Sequence, residues 1–215
     1  MATIFKGAEV NSALNARIAA DVEALKARGV EPKLGIIRVG ERPDDLSYER
    51  TAEKRAEKLG VAVEKIVLPE DVSQAELLGV IKGVNENPLI HGVLLFRPLP
   101  KHLDEDAVCN ALAPEKDIDG ITDLSCAGVF AGKELGFAPC TPSACMEILE
   151  HYGVELRGKK AVVIGRSLVV GKPAAMMLLK RNATVTVCHT RTADLPAVCR
   201  EADVLIAAAG KARMV

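Results

Sequence analysis

A glycine-bearing turn in the second half of the chain combines groups that can bind an anion. The stretch AVVIGRSLVVGKPAAMMLLKR, residues 161–181, leads from an apolar segment through Gly165, Arg166, Ser167 and Gly171 into a helical pattern. Backbone N–H groups at a helix N-terminus favour anions, and glycines let a phosphate approach the backbone closely. The same glycines could equally serve only a tight strand-to-helix turn. The pattern predicts a nucleotide site, and taken alone it is modest evidence.

A second set of polar residues follows the next apolar segment, TVTVC. His189 and Thr190 come directly after it, where a ribose or its phosphate lies in a mononucleotide-binding unit. Arg166 and the pair Thr190–Arg191 could meet a 2′-phosphate, which favours NADP over NAD. Arg166 could equally bind the pyrophosphate that both cofactors share, so NAD stays an alternative.

Alternating strands and helices must position these residues. Several apolar runs are continuous, as in strands covered on both faces. Strands are predicted over residues 33–39, 61–68, 91–96, 161–165, 184–188 and 203–210. Helices are predicted over residues 8–28, 45–59, 73–85, 103–112, 142–152, 173–181 and 195–202. This order predicts an α/β fold with largely parallel sheets.

Composition excludes several classes of protein. Apolar residues make up 49% of the 215 residues and charged residues 27%, which is typical of a soluble globular chain. The 28 Lys and Arg nearly balance the 29 Asp and Glu, so the charge favours neither nucleic acid nor a membrane surface as a partner. The six cysteines contain no C-x-x-C pair, and we expect reduced thiols in the cytoplasm and no metal site.

The segment of residues 112–142 has Gly, Pro and Asp but no clean period. It is too long for an idle connector in a compact chain, so we expect it to line a cleft at a domain boundary. The predicted domains are residues 1–139 and residues 140–215.

Several stretches closely resemble the methylenetetrahydrofolate dehydrogenase/cyclohydrolase family. They are GVLLFRPLPKHLD, APEKDIDGITDLSCAGVFAG, FAPCTPSACMEIL, GKKAVVIGRSLVVGKPAAMMLL and ATVTVCHTRT. The resemblance implies an N-terminal α/β domain that binds folate, a Rossmann-like domain that binds NADP or NAD, and an active site between them. Such enzymes oxidise 5,10-methylene-tetrahydrofolate, and many then hydrolyse the methenyl product to 10-formyl-tetrahydrofolate. It also implies a homodimer.

The resemblance assigns roles residue by residue. Tyr48 matches a tyrosine that stacks along the substrate, and Asp119 matches the aspartate that grips the pterin ring; Pro98 and Leu99 are further substrate-binding residues. A carboxylate suits the paired donors of an aminopyrimidinone edge. Alternatively, Asp119 caps a loop and Tyr48 packs in the fold. The residues that match the dinucleotide site are Gly165, Arg166, Ser167, Gly171, His189 and Thr190. Arg191 is added to them because it could meet a 2′-phosphate.

Two departures from the family concern its hydrolytic step. The family's catalytic lysine falls on Ala52, and the glutamine that supports it falls on Phe96. Neither side chain can transfer a proton, so we expect a dehydrogenase with little or no cyclohydrolase activity. The alternatives are a bifunctional enzyme in which Lys54 takes over, and a folate- or nucleotide-binding relative without turnover. Asp45, Glu49 and Arg50 either rebuild the site or form a solvated helix face.

The chain ends at AAGKARMV, where the family continues for several tens of residues. Three strands would leave the edge of the Rossmann sheet uncovered. We therefore expect an incomplete Rossmann-like domain and a sequence that is part of a longer protein.

Overall fold

The structure, a computed structural model, describes residues 4–210. The chain divides into two compact units. One unit is Asn11–Asp123, and the other contains the residues from Leu124 onward together with those up to Val10. Both are built from helices and parallel strands, which confirms the predicted α/β class. Within the described residues, no helix is long and apolar enough to cross a membrane.

The first unit contains a parallel three-stranded sheet in the order β2-β1-β3. Its elements are α1 (Gly7–Ala27), which begins in the other unit, β1 (Lys33–Val39), α2 (Pro43–Lys58), β2 (Ala62–Leu68), α3 (Gln74–Glu86), β3 (Gly92–Leu95), α4 (Glu105–Ala111) and a 3-10 turn (Pro114–Lys116). Ile37 in the central strand lies opposite Ile66 of β2 and Leu95 of β3. The continuous apolar run of β1 is buried along most of its length, as the sequence predicts for a central strand.

The core of this unit joins the sheet to α3 and α4. Ile37, Leu77, Ile81 and Val108 are fully buried in one cluster. Burying an aliphatic side chain of this size stabilises a fold by about 1.5–3 kcal/mol relative to leaving it exposed. This cluster therefore holds the central strand, and the loops that follow it, in a fixed place.

The second unit has a sheet of the same design, with strand order β5-β4-β6 among the described strands. Its elements are α5 (Asp123–Ala131), α6 (Cys140–His151), β4 (Lys160–Ile164), α7 (Gly171–Lys180), β5 (Thr184–Cys188), α8 (Leu195–Arg200) and β6 (Val204–Ala207). Val163 in the central strand lies opposite Val187 and Ile206. Its buried core includes Met146, Val163 and Leu178.

In both sheets the first strand along the chain is the central one. The chain leaves this strand, adds a neighbour on one side, and later adds a neighbour on the other side. Connections that depart in opposite directions leave a crevice outside the carboxyl ends of the strands, and ligands of open α/β sheets bind there. Each unit therefore has one crevice of this kind, beside β1 and beside β4.

The predicted boundary segment contains a helix that the sequence pattern did not reveal. Helix α5 has the sequence DLSCAGVFA, and its small residues give no clear apolar period. Gly128 on this helix lies against the loop that follows, since a Cβ there would be 2.6 Å from the carbonyl oxygen of Leu135. Close backbone contact, which hydrophobic periodicity does not report, places this helix.

Helix α3 begins with the capping box that Ser73 and Glu76 predict. The Ser73 Oγ accepts a hydrogen bond from the Glu76 backbone N–H at 3.3 Å, and the Glu76 carboxylate accepts one from the Ser73 backbone N–H at 3.0 Å. The hydrogen bond from the Ser73 side chain is the main cause that lowers the pKa of Glu76. These bonds satisfy backbone donors that the helix itself leaves unpaired.

We expect Ser73→Ala to lower the free energy of unfolding by about 1 kcal/mol, because one N-terminal donor of α3 loses its acceptor. Urea denaturation measures the change. Ser12→Ala, inside the exposed face of α1, is the matched control and should not destabilise the protein. Equal midpoints for the Ser73 variant and the unchanged protein would contradict the role of the box.

Candidate active site

A cavity of about 330 Å³ opens at the carboxyl edge of the first sheet. The start of α2, the end of β3 and the loop after the 3-10 turn form its walls. Its lining residues are Arg42, Asp44, Asp45, Tyr48, Leu94, Leu95, Phe96, Arg97 and Asp119. The structure thus brings together Tyr48 and Asp119, the two residues assigned to catalysis. The volume of this cavity lies at the lower end of the range typical of small-molecule sites.

Two aromatic rings form one wall of this cavity. Tyr48 is 60% exposed, whereas Phe96 is buried at the end of β3. Their ring centroids are 5.6 Å apart and the rings are nearly perpendicular, at 76°. An edge-to-face pair of this kind is a favourable arrangement that fixes the tyrosine ring while leaving much of it accessible. A flat ligand could stack on the exposed tyrosine ring.

The loop of residues 117–120 has the sequence DIDG, and its two aspartates have different roles. Asp117 is fully buried, and its carboxylate accepts hydrogen bonds from the backbone N–H groups of Ile121 and Thr122, each at 2.9 Å. Asp119 is only half-buried, and within residues 4–210 its carboxylate makes no hydrogen bond or ion pair. Asp117 therefore closes the loop, the role that was the alternative for Asp119. The Asp119 carboxylate faces the cavity with its hydrogen-bonding capacity unused.

One face of α2 borders the cavity. Asp45, Tyr48 and Ala52 share this face because they are three and four positions apart. Ala52 is half-buried and has no group that could transfer a proton. Lys54 is exposed, and it lies about 120° around the helix axis from Tyr48, because six residues of an α-helix turn by about 600°. Arg50 is exposed as well, and neither Lys54 nor Arg50 lines the cavity.

A buried ion pair attaches α2 to the central strand. The Arg38 Nε donates to the Glu49 Oε2 at 2.9 Å, and both side chains are at most 7% exposed. Arg38 also donates to the carbonyl oxygen of Gly40, just after β1. Glu49 was expected either to rebuild the site or to lie on a solvated face, and both expectations are wrong. It is buried beside Tyr48 and holds the helix against the sheet.

A lysine on β2 extends this pair. Lys65 Nζ lies 2.8 Å from the Glu53 carboxylate and 3.8 Å from the Glu49 carboxylate. The hydrogen bond with Glu53 is the main cause that raises the pKa of Lys65. Two successive turns of α2 are thus connected to the first sheet through charged groups.

Pro98 and Leu99, predicted to bind substrate, line a different cavity. It has a volume of about 650 Å³ and contains Arg42, Glu70, Lys101 and His102 among its lining residues. Leu99 is buried, and its backbone N–H donates to the Glu105 carboxylate at 2.7 Å. Arg42 lines both cavities and donates to the carbonyl oxygen of Pro98 at 2.9 Å. The structure therefore does not place these two residues beside Tyr48 and Asp119.

The predicted nucleotide turn lies at the carboxyl end of β4, the central strand of the second sheet. Gly165 has a positive φ of 122°, and a Cβ there would be 2.5 Å from the carbonyl oxygen of Ala208. A Cβ on Gly171 would overlap the backbone of Gly165 and Arg166. Both glycines are required by the turn's own close packing. The turn leads directly into the N-terminus of α7, and the positive end of a helix dipole favours a bound anion.

Ser167 organises the start of α7. Its Oγ accepts a hydrogen bond from the Val170 backbone N–H at 3.1 Å and lies 3.5 Å from the Gly171 N. Arg166 is exposed beside it. The hydroxyl therefore stabilises the turn, and the guanidinium is free to meet an anion.

The loop after β5 carries the other predicted cofactor residues. Ile164 and Cys188 are register partners, so this loop and the glycine turn lie at the same edge of the sheet. The His189 backbone N–H donates to Thr192 Oγ1 at 2.8 Å, and the Arg191 backbone N–H donates to His189 Nδ1 at 3.1 Å. Thr190 and Arg191 are exposed. The structure thus brings the predicted cofactor residues to one crevice.

Sequence reasoning missed several residues of the first crevice. Arg38 is the clearest case, because an arginine within the buried run KLGIIRV needs a buried partner, and this signal was available. Arg42, Asp44 and Arg97 gave no comparable signal. They line the cavity because loops from separate strands converge there.

We expect Glu49→Gln to lower the free energy of unfolding by about 3–5 kcal/mol, because Arg38 keeps a buried charge without its partner. Urea denaturation measures this loss. Glu86→Gln, which disrupts the exposed pair with Lys82, should cost less than about 1 kcal/mol. The double variant Arg38→Met with Glu49→Leu should recover most of the loss. A change for Glu49→Gln as small as that of the control would contradict the importance of the pair.

Comparison with known proteins assigns both units. Residues 5–119 match the catalytic domain of the tetrahydrofolate dehydrogenase/cyclohydrolase family, and residues 139–215 match its NAD(P)-binding domain. The bifunctional protein FolD of Alkaliphilus oremlandii is 49% identical, over 100% of this chain and 75% of the relative.

Solved structures agree in fold. Bifunctional FolD from Campylobacter jejuni, a methylenetetrahydrofolate dehydrogenase/cyclohydrolase, superposes with a TM-score of 0.95 at 36% identity, over 99% of this chain and 76% of that one. Trypanosoma brucei FolD, complexed with NADP and an inhibitor, has a TM-score of 0.88 at 33% identity, over 98% of this chain and 72% of that one.

The activities given in the names of these relatives bear on the activity predicted for this chain. They support the folate dehydrogenase/cyclohydrolase class, and they give no support to the expected loss of the cyclohydrolase step. They favour the bifunctional alternative instead. By sequence and by fold, the chain belongs to the tetrahydrofolate dehydrogenase/cyclohydrolase family.

Proposed function

We propose that this chain oxidises 5,10-methylene-tetrahydrofolate to 5,10-methenyl-tetrahydrofolate with NADP. The carboxylate of Asp119, which has no polar partner among residues 4–210, lies in one cavity with the exposed ring of Tyr48, and this arrangement carries the proposal. An aminopyrimidinone edge presents two adjacent N–H donors, and a carboxylate accepts both in a charge-assisted, two-point contact. The tyrosine ring then supports the flat pterin by stacking.

The proposed cofactor site is the crevice beside β4. The exposed cations Arg166 and Arg191, at the same edge of the sheet as the N-terminus of α7, suit the phosphates of a dinucleotide. The NADP complex of the Trypanosoma brucei relative supports NADP, and NAD is the alternative. The cofactor supplies a hydride acceptor, while the residues of this crevice bind and orient it.

Little proton transfer is needed for the oxidation itself. The methylene carbon loses a hydride, and the positive charge that remains is shared by the two flanking nitrogens. The main demand on the protein is the orientation of the donor carbon toward the acceptor. Asp119 and Tyr48 would supply this orientation for the folate.

We also propose that the chain hydrolyses the methenyl product, the reading that its relatives' names favour. Ala52 and Phe96 occupy the positions of the family's catalytic lysine and its supporting glutamine. Lys54, the residue first considered as a replacement, is exposed and lies away from the face of Tyr48. Hydrolysis by this chain would therefore be slower than oxidation, and methenyl-tetrahydrofolate would accumulate during turnover.

The remaining proposals are a domain division between residues 139 and 140, a homodimer and a cytoplasmic location. The family resemblance suggests the homodimer, and the cysteine usage suggests the cytoplasm. The interval between the two family matches, residues 120–138, contains the whole of α5 and is consistent with a boundary in this region.

Replacing Asp119 tests the proposed folate site. Asp119→Asn puts an amide donor against the pterin donors, so kcat/KM for methylene-tetrahydrofolate oxidation should fall at least about 10²-fold. Formation of NADPH measures the rate. Asp21→Asn, on the exposed part of α1, is the control and should keep the original rate. A near-normal kcat/KM for Asp119→Asn would rule out Asp119 as the pterin anchor.

Restoring the family's lysine and glutamine tests whether Ala52 and Phe96 are the reason for slow hydrolysis. The double variant Ala52→Lys with Phe96→Gln should hydrolyse added methenyl-tetrahydrofolate about 10²-fold faster than the unchanged protein, because it regains acid–base catalysis. The loss of methenyl absorbance above the spontaneous rate measures this step. Thr51→Lys with Phe96→Gln places the lysine one position away, and it should give no such gain. Equal rates in the two double variants would show that position 52 has no special role.

A further inference from the structure

Asp45 in the first turn of α2 is an unusual carboxylate. Its side chain is only 12% exposed, yet its single polar contact among the described residues is with Arg42, whose Nε lies 3.8 Å away. That distance is longer than a hydrogen bond. Glu49 on the same helix is 7% exposed, and it has a direct bond of 2.9 Å to Arg38. Burying a carboxylate without hydrogen bonds is costly, so Asp45 lacks the compensation that Glu49 has.

The position at a helix N-terminus does not account for this burial. Negative charge is favourable in the first turn of a helix. The neighbouring Asp44 already provides such a charge, and it is exposed to solvent. Asp45 instead shares the face of Tyr48 and lines the cavity with Asp119. Its carboxylate is therefore placed to meet a ligand in this cavity.

The other charged side chains of the cavity do not balance the negative charge of its carboxylates. Arg42 donates to the carbonyl oxygen of Pro98, and Arg97 Nη1 lies 3.9 Å from the Glu105 carboxylate. Arg42 thus has a hydrogen-bond acceptor of its own and Arg97 has an acidic neighbour, whereas Asp44 and Asp119 have no polar partner in the described part of the chain. The ring of Tyr48 adds an aromatic face, which also favours a cation.

The proposed oxidation generates a cation in this cavity. The C–H bond of the methylene bridge breaks, and its electron pair leaves with the hydrogen to the oxidised nicotinamide dinucleotide, which is reduced. The folate bridge is oxidised by two electrons and becomes an amidinium, with one positive charge spread over its two nitrogens. The neutral bridge of the substrate carries no such charge.

We propose that Asp45 is the residue that stabilises the cationic methenyl bridge, so that the site binds the oxidised folate more tightly than folates with a neutral bridge. This inference rests on the proposed oxidation and adds a residue to it. The same charge develops during hydride transfer, so the carboxylate stabilises the transition state as well as the product. Tight retention of the cation also keeps it in the site for the hydrolytic step.

The test compares a folate that carries the cationic bridge with one that has neither the bridge nor its charge. The dissociation constants of 5,10-methenyl-tetrahydrofolate and of tetrahydrofolate are measured by calorimetry for each variant, and their ratio is the readout. Asp45→Asn should reduce the preference for the cation about tenfold, with little change for tetrahydrofolate. Arg42→Gln should shift the preference in the opposite direction, since it removes the cation that faces Asp45. Glu57→Gln, on the exposed side of α2, is the control and should not change the ratio.

The outcomes separate this inference from the proposed function. If Asp45→Asn weakens the binding of both ligands equally, or leaves the ratio of dissociation constants unchanged, Asp45 has only a structural role. The inference then fails, while the proposed oxidation is unaffected. If Asp45→Asn does not fold, Arg42→Gln decides, and an unchanged or reduced preference for the cation overturns the inference. If the unchanged protein binds neither folate, both the inference and the proposed function fail.

Discussion

Both candidate sites depend on one constraint, the placement of the first strand of each sheet in the middle. Neighbouring strands are then added on opposite sides, and the loops at the carboxyl edge separate. Beside β1 this separation leaves room for a cavity with Tyr48 and Asp119. Beside β4 it leaves the narrow turn between Gly165 and Gly171. The same topological feature thus produces one cavity with acidic and aromatic groups and one closely packed glycine turn at a helix N-terminus.

The chemistry of the first site depends on how α2 is held. Asp45 and Tyr48 face the cavity, while Glu49, on an adjacent face of the helix, is paired with Arg38 in the central strand. A buried ion pair adds little net stability compared with apolar packing, but it permits one register of the helix against the sheet. In the same way, Asp117 closes its loop and leaves Asp119 to a ligand. Buried charged groups fix the geometry here, and their neighbours in sequence face the cavity.

Sequence patterns were most informative where hydrophobic periodicity determines structure. Strands β1 and β5 have the predicted bounds, and the capping box of α3 forms as Ser73 and Glu76 indicate. Helix α5 was missed because its place depends on the close approach of Gly128 to Leu135. The resemblance pointed to Tyr48 and Asp119, but it could not show that Asp117 does the work of loop closure. Glu49 was misjudged because its burial depends on Arg38, eleven residues earlier.

The account joins a folate cavity and a dinucleotide crevice on one chain, and its central claim is that this chain transfers a hydride between the two ligands. The most direct measurement is NADPH formation by the unchanged protein supplied with 5,10-methylene-tetrahydrofolate and NADP. We expect NADPH to form in equal amount to the methenyl and 10-formyl folates together. Binding of both ligands without any NADPH formation, with either NADP or NAD present, would contradict the account.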